Sequence, residues 1–370
     1  MTVDTAIDRV FNFSAGPAVL PVPVLEEAQR DLLSLPGCGA SILEISHRSK
    51  QFIDILDTTE QRLRDLIGIP PNYRVVFLQG GSRLQFSMVP MNLLRGSDKP
   101  ADYVICGSWG NHALKQAKLE GDTRVAWDGK ETNYDRLPVL GDLGLDATSA
   151  YVHVTSNETI QGIQFAEDPP ECDATFVCDA SSDFMHRPID VSRYGLIYAC
   201  AQKNAGPAGV TIVIIREDLL DRGQDTLPGY VNYKSHVDAK SLYNTPPTFG
   251  VYIVGLVAKW LSEDVGGLAK MHQRNRDKAK LLYDLLDASP GFYRSHAQPG
   301  CRSLMNVTFR LPSEELESAF ISEAATHQLT DLKGHRSVGG IRASIYNAMP
   351  VQGVQALREF MIDFRDRHAS

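Results

Sequence analysis

The chain has 370 residues, enough for two domains, and its 43% hydrophobic and 22% charged content is that of an ordinary soluble globular protein rather than a disordered one. A formal charge of −8 with no lysine-arginine run excludes an extended nucleic-acid footprint and a basic membrane-binding surface, so any anion site has to be local. No apolar run approaches the ~20 residues of a membrane span, and Met1 to Pro17 carries Asp4, Asp8 and Arg9 without the apolar core of a secretory signal, which together point to the cytoplasm.

Phe11 to Pro23 is punctuated by glycine and proline and cannot be regular helix. Val24 to Leu33 has helical spacing of Val24, Leu25, Ala28, Leu32 and Leu33, and Gly37 and Gly39 end it. The short apolar run Ile42 to Ile45 delivers Ser46-His47-Arg48-Ser49 to a second amphipathic helix carrying Phe52, Ile55, Leu56, Leu63 and Leu66. His47 and Arg48 therefore fall at a loop-helix junction, which suits either a plain surface loop or an anion site.

Arg74 to Leu78 is a predicted strand, followed by Gln79-Gly80-Gly81-Ser82-Arg83 and a helix from Leu84 to Leu94. The N–H groups of such a turn, the helix N-terminus and Arg83 can cradle a phosphate, although glycine turns also join many strands to helices without a ligand. Neither the dinucleotide nor the triphosphate glycine pattern is present. Asp102 to Cys106 is the next strand, and Trp109 stands between it and a helix from Asn111 to Leu119, placed either as core or to stack on a flat ring. Tyr151 to Val154 leads to five polar residues, Thr155 to Thr159, at another strand end. With Gly209 to Ile215, these strands alternate with helices and predict an α/β fold around a mostly parallel, doubly wound sheet.

Thr175 to Cys178 and Leu196 to Cys200 read as strands buried on both faces, the first running into Asp179 and the second preceding Lys203. An acid and an amine past the carboxyl ends of two strands suggest pyridoxal phosphate: the amine can hold the aldehyde, and the acid can keep the pyridine nitrogen protonated. Alone, the two charges also fit a strand-end ion pair. The six cysteines (Cys38, Cys106, Cys172, Cys178, Cys200, Cys301) lack metal-ligand spacing, and reduced packing thiols are expected.

After Arg216 the long polar stretch Asp225 to Pro247 suggests an excursion with a task, such as crossing to a second subunit. Helices over Val251 to Leu261 and Leu268 to Leu286, a strand (Ser303 to Arg310), a helix (Ser313 to His327), a strand (Gly340 to Ile345) and a helix (Gln352 to Arg367) predict an α+β tail. A large domain of residues 19–261 and a smaller α+β domain of residues 1–18 and 262–370 are expected.

Seven motifs in order now stand together: F-N-F-S-A-G-P-A, E-I-S-H-R-S-K, S-N-E-T, R-P-I-D-V-S-R-Y-G, A-Q-K-N-A-G-P-A-G, Y-N-T-P-P-T and G-G-I-R-A-S-I-Y-N-A. In these, nearly the whole chain resembles the phosphoserine aminotransferases, a class V family of fold-type I pyridoxal-phosphate enzymes. The resemblance implies that Lys203 carries the cofactor covalently, Asp179 pairs with its pyridinium nitrogen, Trp109 stacks on its ring, and Thr159 and Gln202 make further contacts. It places the cofactor phosphate against Ser82 and Arg83, with Asn244 and Thr245 reaching in from the partner of a homodimer. Arg342 is implied as the clamp on the substrate α-carboxylate, and His47 and Arg48 (from the partner), Arg83, His335 and Arg336 as readers of the distal phosphate. The implied reaction passes an amino group from glutamate to 3-phosphohydroxypyruvate, with 4-phosphohydroxythreonine as an open further substrate.

One departure stands out. The family usually has G-G-G-R-G-Q at the turn, where this chain has G-G-S-R-L-Q, and a side chain at positive φ costs about 1 kcal/mol or more. Other class V chemistry, alanine-glyoxylate transamination or cysteine desulfuration, is the alternative within enzymes. Desulfuration needs a mobile cysteine, for which only Cys38 and Cys301 fall in expected loops. A catalytically silent cofactor-binding protein is the alternative outside them, and retention of both Lys203 and Asp179 argues against it.

Overall fold

The computed structural model describes residues 9–145 and 148–368. Met1 to Asp8, on which part of the reading of the N-terminus and of the small domain rests, lie outside the described residues.

In chain order, a two-residue strand β1 (Phe11–Asn12) precedes helices α1 (Val22–Leu33) and α2 (Lys50–Ile67). Alternation follows: β2 (Tyr73–Leu78), α3 (Gly81–Leu93), β3 (Ala101–Ile105), α4 (Ser108–Ala117), β4 (Thr123–Asp128) and β5 (Val152–Thr155). A small hairpin, β6 (Asn157–Glu158) with β7 (Ile163–Gln164), leads to β8 (Phe176–Asp179), β9 (Leu196–Cys200) and β10 (Thr211–Arg216). Seven of these strands form one sheet in the order β2-β10-β9-β8-β5-β3-β4. Its pairs are parallel except at β10, which runs antiparallel to both neighbours. That reversal has a simple cause, because the link from β9 to β10 is shorter than the roughly dozen residues a parallel crossover needs.

Ser49 caps α2 by accepting the Phe52 N–H, Gly68 ends it at φ 76°, and Phe52, Leu56, Thr59, Leu63 and Ile67 are its buried face. Burying each large apolar side chain there contributes about 1.5–3 kcal/mol. The stripe packs on α6 (Thr248–Glu263), which is buried on most sides and therefore apolar nearly all round. The excursion between β10 and α6 contains a short α-helix, α5 (Tyr233–Asp238), and two 3-10 helices, Glu217–Arg222 and Gly229–Val231.

α7 (Leu268–Asp287), β11 (Arg294–Ser295), β12 (Asn306–Arg310), α8 (Glu314–Thr326), β13 (Leu329–Thr330), β14 (Ile341–Ser344) and α9 (Val351–His368) complete the chain. β11, β12 and β14 form a three-stranded antiparallel sheet, and β1 pairs with β13. A separate apolar cluster lies under this sheet, where Phe13 meets Leu282, Phe309, Phe320, Ile341 and Phe364. Lys278 on α7 is buried here, and its ammonium donates to the carbonyls of Ile345, Tyr346 and Met349 at 2.9, 2.7 and 3.1 Å, fastening the β14 exit.

Two expectations need correction, and one strand went unread: β4, with only the short run Val125-Ala126-Trp127, is a half-exposed edge strand. α3 and α4 begin three residues earlier than their apolar spacing suggests, which puts Ser82, Arg83 and Trp109 inside first helical turns. β12 starts at Asn306, because Ser303 Oγ turns the preceding backbone by accepting the Met305 and Asn306 N–H groups. No helix among the described residues is long and apolar enough to cross a membrane.

Candidate active site

The carboxyl ends of β2, β3, β5, β8 and β9 all point to one edge of the sheet, and there a cavity of about 430 Å³ opens. It is lined by Ser82, Arg83, Trp109, Thr159, Asp179, Gln202, Lys203, His335 and Arg342. Backbone from Ala15, Gly16, Gly80 and Gly81 adds to the wall. A larger, mainly apolar groove of about 660 Å³ between the N-terminal segment and α7 contains none of the predicted site residues.

Asp179 is the last residue of β8 and is 3% exposed; its Oδ1 accepts the Ser181 N–H at 3.0 Å. Burial raises its pKa, against the hydrogen bond from Ser181 and the charge of Lys203. Lys203 follows β9, and its Nζ donates to Thr159 Oγ1 at 2.8 Å. Burial pulls the amine down, but Tyr346, Cys200, Asp179 and Glu158 together hold it above its ordinary value. The same ammonium lies 5.7 Å from the centre of the Trp109 ring, and the Arg83 guanidinium lies 5.4 Å from it. Trp109 Nε1 is buried without a hydrogen-bond partner among the described residues.

At the turn, the positive φ angles fall on Gly80 (87°) and Gly81 (62°), which are the glycines this chain keeps. Neither Ser82 nor Leu84 has positive φ, so the replacements carry no backbone strain of that kind. Ser82 instead shares a 2.6 Å hydrogen bond with Ser181 Oγ, tying the turn to the β8 end beside Asp179.

Arg342 projects from β14; burial lowers its pKa, and its buried Nε has no hydrogen-bond partner among the described residues. His335 shares the cavity, with its pKa lowered by burial and by the charges of Arg342 and Arg336. Five expected residues do not line this cavity. Arg336 is exposed, and Arg48 Nε donates to His47 Nε2 at 3.3 Å just before α2. Asn244 Nδ2 donates to Gln79 Oε1 at 3.2 Å, and Gln79 Nε2 donates to the Thr245 carbonyl at 3.4 Å, so that loop rests on the residue before the glycine turn.

Three residues escaped sequence reasoning. Ser181 holds Asp179; Tyr346, fully buried, donates to the Ala15 carbonyl at 2.8 Å and so positions the N-terminal wall; Glu158 lies buried beside Thr159. A carboxylate in S-N-E-T with no nearby basic residue was the available signal for Glu158. Among the cysteines, Cys301 is buried, with its thiol pushed up by burial, and the exposed one is Cys172.

The sheet and its strand-end cavity are those of a fold-type I pyridoxal-phosphate enzyme, and the Aminotransferase class-V family matches residues 10–357. A phosphoserine aminotransferase of Rhodopirellula baltica is 56% identical over 98% of this chain and 96% of its own length. The solved phosphoserine aminotransferase of Bacillus circulans subsp. alkalophilus superposes with a TM-score of 0.94 at 48% identity, covering 97% of this chain and 99% of that one. That of Trichomonas vaginalis, solved with pyridoxal phosphate bound, gives 0.89 at 36%, covering 96% and 100%. The chain belongs to the phosphoserine aminotransferase family of class V, and its cofactor is pyridoxal phosphate.

The residues present fit that cofactor. An amine and a buried carboxylate face one cavity, an indole forms part of its wall, and a glycine turn at a helix N-terminus, with no side-chain cap among the described residues, closes one end with first-turn N–H groups suited to a phosphate.

Proposed function

We propose that the chain transfers an amino group from glutamate to 3-phosphohydroxypyruvate, releasing 2-oxoglutarate and O-phosphoserine. The observation that carries this reading is the convergence of Lys203 and Asp179 with the unpaired Arg342 and with Arg83 on one cavity, in a chain 56% identical to a phosphoserine aminotransferase.

Bound pyridoxal phosphate supplies an aldehyde that takes up the amino group and a ring that draws electrons from the reacting carbon. Lys203 Nζ moves the proton at the substrate Cα, with Thr159 Oγ1 holding it in place between uses. Asp179 keeps a proton on the pyridine nitrogen, and burial beside Ser181 fixes its direction. Trp109 covers the ring, Gln202 and Thr159 flank it, and Ser82 with the turn N–H groups holds the phosphate. Arg342 binds the α-carboxylate through the planar pairing that suits a guanidinium. Arg83, His335 and Arg336 meet the distal anion, which is a phosphate in one half-reaction and a carboxylate in the other.

The working form is a homodimer in the cytoplasm, in which His47, Arg48, Asn244 and Thr245 complete the partner's site. Their position outside the cavity of their own chain supports that reading. Residues 19–261 act as the large, cofactor-binding domain, and 1–18 with 262–370 as the small one.

A coupled assay with O-phosphoserine, O-phospho-4-hydroxythreonine and alanine as separate amino donors tests the substrate assignment. Phosphoserine should be favoured over alanine by orders of magnitude; comparable rates with alanine would sink it.

A further inference from the structure

Glu158 ends the short strand β6, directly before Thr159, and its side chain is fully buried. Its Oε2 accepts the Trp109 N–H at 3.1 Å and its Oε1 the Gly110 N–H at 2.9 Å. Those are two of the donors that a helix N-terminus leaves without an internal partner. The N-cap residue of α4 is Gly107, which has no side chain to satisfy them. Gly107 also makes the room, since a Cβ there would lie 2.6 Å from Glu158 Cδ. A carboxylate from another strand therefore caps the helix whose first turn presents Trp109.

We propose that Glu158 is a positioning residue that sets the Trp109 ring against the cofactor by capping α4 across the cavity wall. The proposal rests on the reading of Trp109 as the stacking residue.

The link is sensitive to charge. Burial pushes the Glu158 carboxyl up to about 7; the Gly110 and Trp109 N–H groups pull it down, Asp179 pushes it up and Lys203 pulls it down. Cys106 and Tyr134 also face it from neighbouring elements. Ionised, it makes two charge-assisted bonds to the helix; protonated, one oxygen becomes a donor and the cap weakens. The grip on Trp109 should therefore be firm above pH 7 and loosen below it.

The test is a pyridoxal-phosphate titration of the ligand-free dimer, read by quenching of tryptophan emission, with near-ultraviolet circular dichroism of each protein. Glu158→Gln keeps the volume but turns an NH₂ toward one of the two backbone donors. At pH 8 it should raise the cofactor Kd about tenfold to a hundredfold, the range expected from losing one charge-assisted bond, and should flatten the pH dependence between 6 and 8. Trp109→Ala should raise Kd by itself, and adding Glu158→Gln to it should cost less than about threefold more. Should Glu158→Gln not fold, Gly107→Ala pushes the same carboxylate away, together with the Gln161 side chain that accepts the Ser108 N–H, and should show at least the same loss. Wild-type affinity in Glu158→Gln, or its full effect surviving in the Trp109→Ala background, would overturn the proposal while leaving the stacking role intact. Unchanged affinity in Trp109→Ala alone would overturn the stacking role and the proposal with it.

Discussion

On the floor of the cavity and in the wall behind it the charged groups are enclosed and held within one chain: Asp179 by Ser181, Lys203 by Thr159, and, behind Trp109, Glu158 by the first turn of α4. The rim cations, those read as meeting the substrate, are looser: Arg83 and Arg336 are exposed, Arg48 rests on His47 outside the cavity of its own chain, and Arg342 carries an Nε with no hydrogen-bond partner among the described residues. The floor has to hold one geometry for a proton transfer, and buried charges are tolerated only where partners are already in place. The rim has to take a phosphate in one half-reaction and a carboxylate in the other, which unpaired guanidinium groups can do without rearranging the floor. Lost floor residues should thus remove chemistry, and lost rim residues should remove selectivity.

The sharpest break is Lys203→Ala. Transamination should disappear, while thermal unfolding of the ligand-free protein stays within a few degrees of wild type, because a lysine beyond a strand end supports chemistry more than packing. Turnover at the wild-type rate would remove Lys203 from the mechanism. Asp179→Asn should keep the cofactor but lose most of the rate, as an amide cannot hold the pyridine nitrogen protonated; an unchanged single-turnover rate would count against it.

Whether the rim is shared between subunits can be read by mixing an inactive protein with one impaired on phosphoserine. Lys203→Ala and Arg48→Ala, exchanged into hybrid dimers, leave one intact site per hybrid if Arg48 serves the partner, so activity should rise to about a quarter of wild type. No recovery after verified exchange would mean that each site is built from one chain.

Asp179 and Lys203 were legible as candidates because buried apolar runs end just before them, but only the motif resemblance separated them from a strand-end ion pair. The rim was legible only through motif resemblance, since an exposed arginine looks the same in any loop. Local patterns fail where a partner is distant in sequence. β4 alternates too weakly to stand out, Lys278 is buried on carbonyls contributed about 70 residues away, and Glu158 caps a helix 49 residues earlier. The reversal of β10 was within reach, since the length of its link excludes a parallel crossover.

Selectivity at the rim should be measurable as a split between substrates. Arg342→Ala should depress phosphoserine, glutamate and alanine together, because all three have an α-carboxylate. Arg336→Ala should lower kcat/KM for phosphoserine and glutamate by about tenfold to a hundredfold, the equivalent of roughly 1.5–3 kcal/mol, and hardly touch alanine. Equal losses on alanine and phosphoserine would make Arg336 a support for the fold.

The smallest effect tests the seam between floor and rim. Ser82 stands where the family usually has glycine, and its hydroxyl reaches Ser181, whose own N–H holds Asp179. Ser82→Ala removes that hydroxyl while keeping helical backbone preference, and one neutral hydrogen bond is worth about 0.5–1.5 kcal/mol, so the cofactor Kd should rise about two- to tenfold. Ser82→Gly should lose the same bond and also loosen the first turn of α3, because glycine is less favourable than alanine in a helix by about 1 kcal/mol. Its melting temperature should therefore fall below that of Ser82→Ala. If Ser82→Gly instead bound the cofactor as tightly as wild type and melted no lower than Ser82→Ala, the serine would be a neutral replacement, and the turn and the Asp179 strand end would hold the cofactor independently of each other.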